Sequence, residues 1–397
     1  RSHRPGFEHV TRLLDALLTC GEYQQVVLGH EPTGVYHEAW ARALLERYAA
    51  YRYGSETPAL DYRFLNPLWV KRKRQQLAGG RPRKTDRLDL LAIAHCLRDG
   101  LGQPAALPTG DELRFQLWAT AYRRAQRERR GLTVSLLSQL DRLWPGAVVN
   151  VRRFRQAHPD LSDVPLPLVL SKPLERQRVQ AILQHCPNPH HFLALGQAGI
   201  QAFFRQYIGR CGPATAKLAF QVVQKALLPP PEVAQLLAVQ LQADFARYQT
   251  LSQRLQTLSD QTQALVPDTP AAVLTTVPGI SPLLAVRYLA YLGHHQRFQR
   301  PAQIWALAGF DPATDHSGDR QRWGKISRKG HPGLRDTLYL IGLHTAKNIP
   351  AIDRARQRAR ANGKGPVGAV IHAAHKANRL CHRLLYDQVP FDPDRRR

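Results

Sequence analysis

Apolar and polar positions divide this chain into readable blocks. Gln24-Gln25-Val26-Val27-Leu28-Gly29-His30 is a short apolar run of the kind that forms a buried strand, and Glu31-Pro32-Thr33-Gly34 turns the chain after it. His37–Tyr48 carries apolar residues at helical spacing, and Tyr48–Tyr53 reads as a second, weaker strand. Leu90-Leu91-Ala92-Ile93-Ala94 continues a helix that opens near Asp86. Alternation of strand and helix predicts an α/β domain around a central sheet.

From about Asp111 to Leu143 the pattern is helical and strongly charged, and Pro145-Gly146 ends it. A Pro-rich connector (159–173) follows, then helices to Pro229-Pro230-Pro231. A long helix is expected from Glu232 to about Leu265. Its Leu251, Leu255, Leu258 and Leu265 fall on a coiled-coil beat, which serves self-association and packing into the chain's own core equally well. Asp268-Thr269-Pro270 stops it.

Two further apolar helical runs, Ala271–Thr276 and Leu283–Leu292, flank Val277-Pro278-Gly279-Ile280-Ser281-Pro282. A short Gly turn between helices can aim backbone N–H groups at a phosphate, as helix-hairpin-helix modules do. Ser317-Gly318 then lies in a flexible cationic loop, and His331-Pro332-Gly333-Leu334-Arg335 opens a helix to about Thr345.

Charge narrows the function. The 397 residues hold 56 Lys and Arg against 30 acids, a net charge of +26, so a polyanion is the natural partner. No apolar run approaches the roughly 18–20 residues of a membrane span, and no signal-like segment opens the chain. A cytosolic nucleic-acid protein is the expectation. The five cysteines are scattered and suit a reducing compartment. The cluster His185-Cys186-Pro187-Asn188-Pro189-His190-His191 offers zinc-type ligands, but its crowded spacing with prolines between suits a loop better. There is no methionine, even at position 1, which suggests that the chain lacks its original start.

The chemistry concentrates in two places. Lys71, Arg72, Lys73, Arg74, Arg81, Arg83 and Lys84 lead without an intervening acid into Thr85-Asp86-Arg87-Leu88-Asp89. The i, i+3 spacing puts Asp86 and Asp89 on one helix face, about 5–6 Å apart at Cβ, where two carboxylates repel unless a cation sits between them. Glu31, leaving the C-terminal end of a strand, is a third candidate ligand for Mg²⁺ or Mn²⁺. The plainer reading makes Asp86 a helix N-terminal acid and Asp89 a surface residue. Arg123, Arg124 and Arg127 on the charged helix are candidate phosphate contacts. In the second place, Arg320, Arg322, Lys325, Arg328 and Lys329 surround Ser317. A serine hydroxyl is a poor nucleophile unless activated, and these cations could stabilise a phosphoryl transition state.

Glu31-Pro32-Thr33-Gly34-Val35-Tyr36, Lys84-Thr85-Asp86-Arg87-Leu88-Asp89, Val277-Pro278-Gly279-Ile280, and Ser317-Gly318 with Gly324-Lys325-Ile326-Ser327-Arg328-Lys329-Gly330 occur in one order. That ordered set resembles the IS110 insertion-sequence transposases across nearly the whole chain. The resemblance implies a RuvC-like, RNase H-like α/β domain at 1–155 with its first strand missing. It further implies a helical linker and coiled coil at 156–266 and a mainly α, serine-containing transposase domain with a helix-hairpin-helix-like element at 267–397. It implies that Glu31, Asp86 and Asp89 are the second to fourth members of an Asp-Glu-Asp-Asp metal site, the first lying upstream of Arg1. Ser317 would attack the DNA backbone to form a 5′-phosphoserine link. The implied partners are DNA (element ends and target), a guide or bridge RNA, and further copies of the chain in a dimer or tetramer. One departure is Ala290-Tyr291-Leu292-Gly293, where the family tends to carry an acid before the apolar-Gly pair.

Two other readings share the charge. A RuvC-like nuclease or junction resolvase would hydrolyse DNA with water and need no serine. A truncated remnant would bind nucleic acid without cutting it.

Overall fold

A computed structural model describes residues 4–32, 34, 37–53, 59–79, 85–146, 156–157, 159–161, 172–317, 320–327 and 329–393, with backbone alone at 312–317 and 320–325. Arg81, Arg83, Lys84 and Arg328 lie outside the described residues. The chain is mainly helical, with a small three-stranded sheet and one hairpin. It forms two compact units, 1–109 and 110–397.

In the first unit α1 (Arg4–Thr19) precedes β1 (Gln25–His30), α2 (Glu38–Arg47) and α3 (Ala49–Tyr53). Then come β2 (Ala59–Phe64), α4 (Pro67–Leu77), α5 (Asp86–Arg98) and the two-residue β3 (Gln103–Pro104). β1 pairs parallel to β2 in register Gln25↔Ala59 to His30↔Phe64, and β3 adds antiparallel to β2. The expected strand and helix at the start are present. The expected strand at Tyr48–Tyr53 is instead helix: Tyr48 is buried and its hydroxyl donates to Asp15 Oδ1 at 2.8 Å, which anchors this segment on α1. The second strand lies further on. Leu60 and Tyr62 point inward while Asp61 pairs with Arg63 on the other face, so its alternation was hidden by charge.

The second unit is built on two long antiparallel helices, α6 (Gly110–Leu143) and α11 (Pro231–Leu265). Trp118 Nε1 donates to Leu258 O at 2.7 Å near one end and Gln139 Nε2 to Asp244 Oδ2 at 2.8 Å near the other. Between them in sequence come α7 (Gln177–His185), α8 (Pro189–Ala194), α9 (Gly196–Ile208) and α10 (Pro213–Gln224). These four pack on the Leu136–Trp144 end of α6 and the Ala234–Tyr248 stretch of α11. The helix at 111–143, read from sequence with the N-terminal domain, thus packs with the second unit. Leu255 is buried, and Leu251, Leu258 and Leu265 pack against the same core, so the leucine seam is spent within the chain.

That core also takes in α12 (Pro270–Thr275), α13 (Pro282–Leu292), α14 (Pro301–Leu307), α15 (Pro332–Thr345), α16 (Pro350–Ala361) and α17 (Pro366–Asp387). β4 (Pro312–Ser317) and β5 (Arg320–Ile326) form an antiparallel hairpin where a flexible loop was expected. The segment is short and polar, so only the cross-strand ladder identifies it as sheet.

Cysteine reactivity follows from these cores. Cys20 is exposed, whereas Cys96 and Cys381 are buried. Burial pushes the Cys381 thiol up to about 12. Alkylation of the folded chain should therefore modify Cys20 promptly and Cys381 only after denaturation, read by peptide mass spectrometry. Prompt modification of Cys381 would contradict the α17 packing.

Candidate active site and nucleic-acid interface

Thr85 caps α5: its Oγ1 accepts from Leu88 N at 3.2 Å, which fixes the first turn and with it Asp86 and Asp89. Asp86 is exposed. Asp89 is not free for a ligand, because Arg74 Nη1 donates to its Oδ1 in a largely shielded ion pair. One residue earlier on α4, Lys73 pairs with Asp99. The basic approach is therefore split. Lys71 and Arg72 are exposed, while Lys73 and Arg74 turn onto the acids of α5.

Glu31 leaves the end of β1 as expected, but β1 lies on the other half of α5. A Cβ on Gly29 would meet Leu97 Cδ2 at 2.6 Å, and the charge of Glu31 reaches Cys96. Cys96 is two turns beyond Asp89, roughly 10 Å along the helix axis. Among the described residues no group of three or more His, Cys, Asp or Glu side chains is arranged to hold a metal ion. The fold brings Asp86 and Asp89 onto one turn of α5. Asp89 is already paired, so a shared divalent cation would have to displace the Arg74 guanidinium.

Sequence reasoning missed two histidines that bracket the Glu31 turn. His30 Nδ1 and the Tyr62 hydroxyl are 2.9 Å apart, and the His30 and His37 rings sit 5.7 Å apart. His30 Nε2 and His37 Nδ1 are enclosed without partners. Burial, then His37, lowers the His30 pKa to about 4. The signal available was a polar residue ending an apolar strand.

In the second unit Ser317 is the last residue of β4. The register sets Ser317 opposite Arg320 and Asp315 opposite Arg322, so these four residues share one hairpin face. Asp315 was missed because an i, i+2 relation matters only once the segment is a strand. The base of the hairpin is fixed. Ser327 Oγ donates to Asp311 Oδ1 at 3.0 Å, Ser327 N to Asp311 O at 2.7 Å, and His331 N to Leu307 O at 2.7 Å. Gly330 runs so close to the backbone of 307–309 that a Cβ would lie 2.3 Å from Gly309 N. Lys329 is exposed just outside this base.

The Gly279 turn joins α12 to α13, but it faces inward. Gly279 has φ +98°, and a Cβ there would meet His344 O at 2.7 Å, with Val277 and Ile280 buried on either side. The helix-hairpin-helix comparison holds for the connection, while the glycine itself packs on α15.

Arg124 and Arg127 are exposed on α6, and Arg124 pairs with Glu128 at 3.0 Å. An unforeseen basic surface lies on α16 and α17, where Arg354, Arg358, Arg360, Lys376 and Arg379 are exposed. Its signal was an Arg at every second position from 354 to 360, on a helix whose Ile352 and Ala359 face the core.

Residues 271–357, which run from α12 through the Ser317 hairpin into α16, match the family described as "Transposase IS116/IS110/IS902 family". The chain is also 25% identical over 342 residues to a Streptomyces coelicolor protein named "Mini-circle putative transposase for IS117". That alignment covers 83% of this chain and 77% of the relative. Both comparisons make this stretch similar to the IS110 group of transposases. A second Streptomyces coelicolor relative is an uncharacterized protein of insertion element IS110. It is 26% identical over 120 residues, which is 30% of either chain. Among the described residues no helix is long and apolar enough to cross a membrane.

Proposed function

We propose that this chain is the DNA transposase of an insertion sequence, cleaving and rejoining DNA through Ser317 under the guidance of an RNA. The observation that carries the reading is the placement of Ser317. It ends a strand of a hairpin rich in Arg and Lys, anchored at its base to α14 and α15 within the stretch that matches the family. In the proposed step the Ser317 hydroxyl loses its proton and its oxygen attacks phosphorus. A serine–phosphate ester forms, the bond from phosphorus to the 3′ oxygen breaks, and a 3′-hydroxyl leaves. Attack by a second 3′-hydroxyl reverses the chemistry and joins new strands. Arg320 and Arg322, on the serine's hairpin face, are assigned to the charge that develops on the phosphoryl oxygens.

The N-terminal unit is read as RuvC-like. Mg²⁺ or Mn²⁺ belongs to the proposal, with Glu31, Asp86 and Asp89 as its ligands. Because Asp89 is held by Arg74, no step is routed through the ion. If Arg74 competes with the cation, Arg74→Gln should tighten Mn²⁺ binding several-fold in calorimetry, and Asp86→Ala should abolish it. Equal, undetectable binding in all three proteins would remove the metal from the proposal.

Assembly into a dimer or tetramer is proposed as well. Val233, Leu236 and Val239 are exposed along α11 and offer an apolar surface to a second copy.

The test incubates end-labelled element DNA with protein, candidate RNA and Mg²⁺, then looks for protein-linked DNA on a denaturing gel. A covalent adduct supports the transposase. Metal-dependent cleavage without an adduct supports a RuvC-like nuclease, and salt-sensitive binding alone supports a remnant.

A further inference from the structure

Among the described residues, Arg287 is a buried cation with no counter-ion. It sits on α13 at 7% exposure, its Nε is enclosed without an acceptor, and no carboxylate pairs with it. An aromatic ring lies beside it: Cζ stands 5.8 Å from the centroid of the Tyr122 ring on α6. A guanidinium cannot shed its proton to escape burial, and a ring face compensates only part of the lost hydration. What this position lacks is an anion.

The groups around it are also cationic. Tyr122 is followed by Arg123, which has no ion pair among the described residues. One turn along α13 from Arg287, on the same face, Tyr291 places its ring 4.9 Å from that of His331. The Tyr291 ring also closes on the start of α15, where a Cβ on Gly333 would meet its Cζ at 2.8 Å. Arg335, one turn into α15, is held by its bond from Nη1 to Ala308 O at 2.9 Å. Burial lowers the His331 pKa, and the charges of Arg123 and Arg335 reach the ring and lower it further. His331 Nδ1 accepts from Leu334 N at 3.1 Å, which leaves the ring proton on Nε2 as a donor. Three helices thus bring three guanidinium groups and one imidazole donor to a neighbourhood with an aromatic floor. His331 is also where β5 hands over to α15, at the fixed base of the Ser317 hairpin.

We propose that Arg287, Arg123 and His331 form a seat for one backbone phosphate of a nucleic acid, beside the base of the Ser317 hairpin. The inference rests on the nucleic-acid reading above and adds to it a specific anchor. A bound phosphate completes the hydrogen bonding of Arg287 and fixes the register of the strand relative to the hairpin.

The test compares wild type, Arg287→Met and Arg123→Gln in the full chain, with a short labelled DNA duplex and a single-stranded RNA of equal length as probes. Affinity is measured over a range of salt, and melting temperature alongside it. Arg287→Met should weaken binding about tenfold and make the slope of log affinity against log salt shallower by about one. Its melting temperature should hold or rise, because an uncompensated buried charge has been removed. Arg123→Gln should give the same slope change at unchanged melting temperature. Loss confined to the duplex assigns the phosphate to DNA, and loss confined to the RNA assigns it to RNA.

Wild-type affinity and slope in both variants, with a lower melting temperature for Arg287→Met, would overturn the seat and leave Arg287 a structural partner of Tyr122. A flat salt response of the wild type would instead overturn the nucleic-acid reading beneath it.

Discussion

Ser317→Ala should abolish the covalent protein–DNA adduct, a loss on the order of 10⁴-fold or more for removal of a nucleophile, while leaving DNA affinity and its salt dependence intact. In the proposed function binding is assigned to cations spread over α6, α16 and α17 and around the hairpin, so deleting one hydroxyl should not change it. The backbone should also tolerate the change. Ser317 is the last paired residue of β4, and the ladder uses main-chain groups that alanine keeps. Trapping on a denaturing gel and filter binding, run on the same preparation, separate the two effects. An adduct that survives in Ser317→Ala places the nucleophile elsewhere. Cleavage that survives without any adduct in the wild type assigns the attack to water.

The largest structural effect is expected at Gly342. It sits in α15 where that helix crosses α17, and a Cβ there would lie 2.5 Å from both Ala374 Cα and Ala374 N. Those are backbone atoms in the middle of a buried helix, so they cannot swing aside. Gly342→Val should therefore force the two helices apart, at a cost of about 3 kcal/mol or more. At roughly 2–4 °C per kcal/mol for a unit of this size, the melting temperature should drop by about 6–12 °C. Gly368→Ala, on α17, is the matched control. Its nearest neighbour would be Lys364 Cβ at 3.5 Å, an ordinary contact, so higher helix propensity should raise stability by about 0.5–1 kcal/mol. Opposite signs in calorimetry would establish the α15–α17 crossing. A neutral Gly342→Val would mean that these helices do not pack this closely.

The crossing bears on function because α15 starts at the anchor of the hairpin. His331 caps the helix and donates its backbone N–H to Leu307 O, and Gly330 threads against 307–309. Spreading α15 from α17 should loosen the base on which Ser317 is held. Gly342→Val should then reduce strand transfer more than DNA binding at temperatures where the chain stays folded.

Much of the helical skeleton could be read directly. Apolar spacing located β1, α2, α6 and α11, and the i, i+3 spacing of Asp86 and Asp89 gave the paired acids of α5, while the Thr85 cap came from the structure. Other features escaped because they depend on distant partners. Tyr48–Tyr53 has strand-forming tyrosines, yet the bond from Tyr48 to Asp15 on α1 draws the segment into helix. The strand Ala59–Phe64 has a charged residue at every second position of its outer face and so looks like a loop. The hairpin of Ser317 becomes visible only when Asp315 finds Arg322 across the ladder.

The sequence by itself determined that this is a strongly basic chain with long helical stretches, because charge balance and periodicity are properties of the chain alone. The ordered motifs added Ser317, Glu31, Asp86 and Asp89 as candidate residues. Tertiary structure alone decided which charges are available. Asp89 is taken by Arg74 because α4 folds back on α5, and Arg287 pairs with no carboxylate among the described residues. Pairing energies depend on distance and burial, and both are set by how helices far apart in sequence come to lie together.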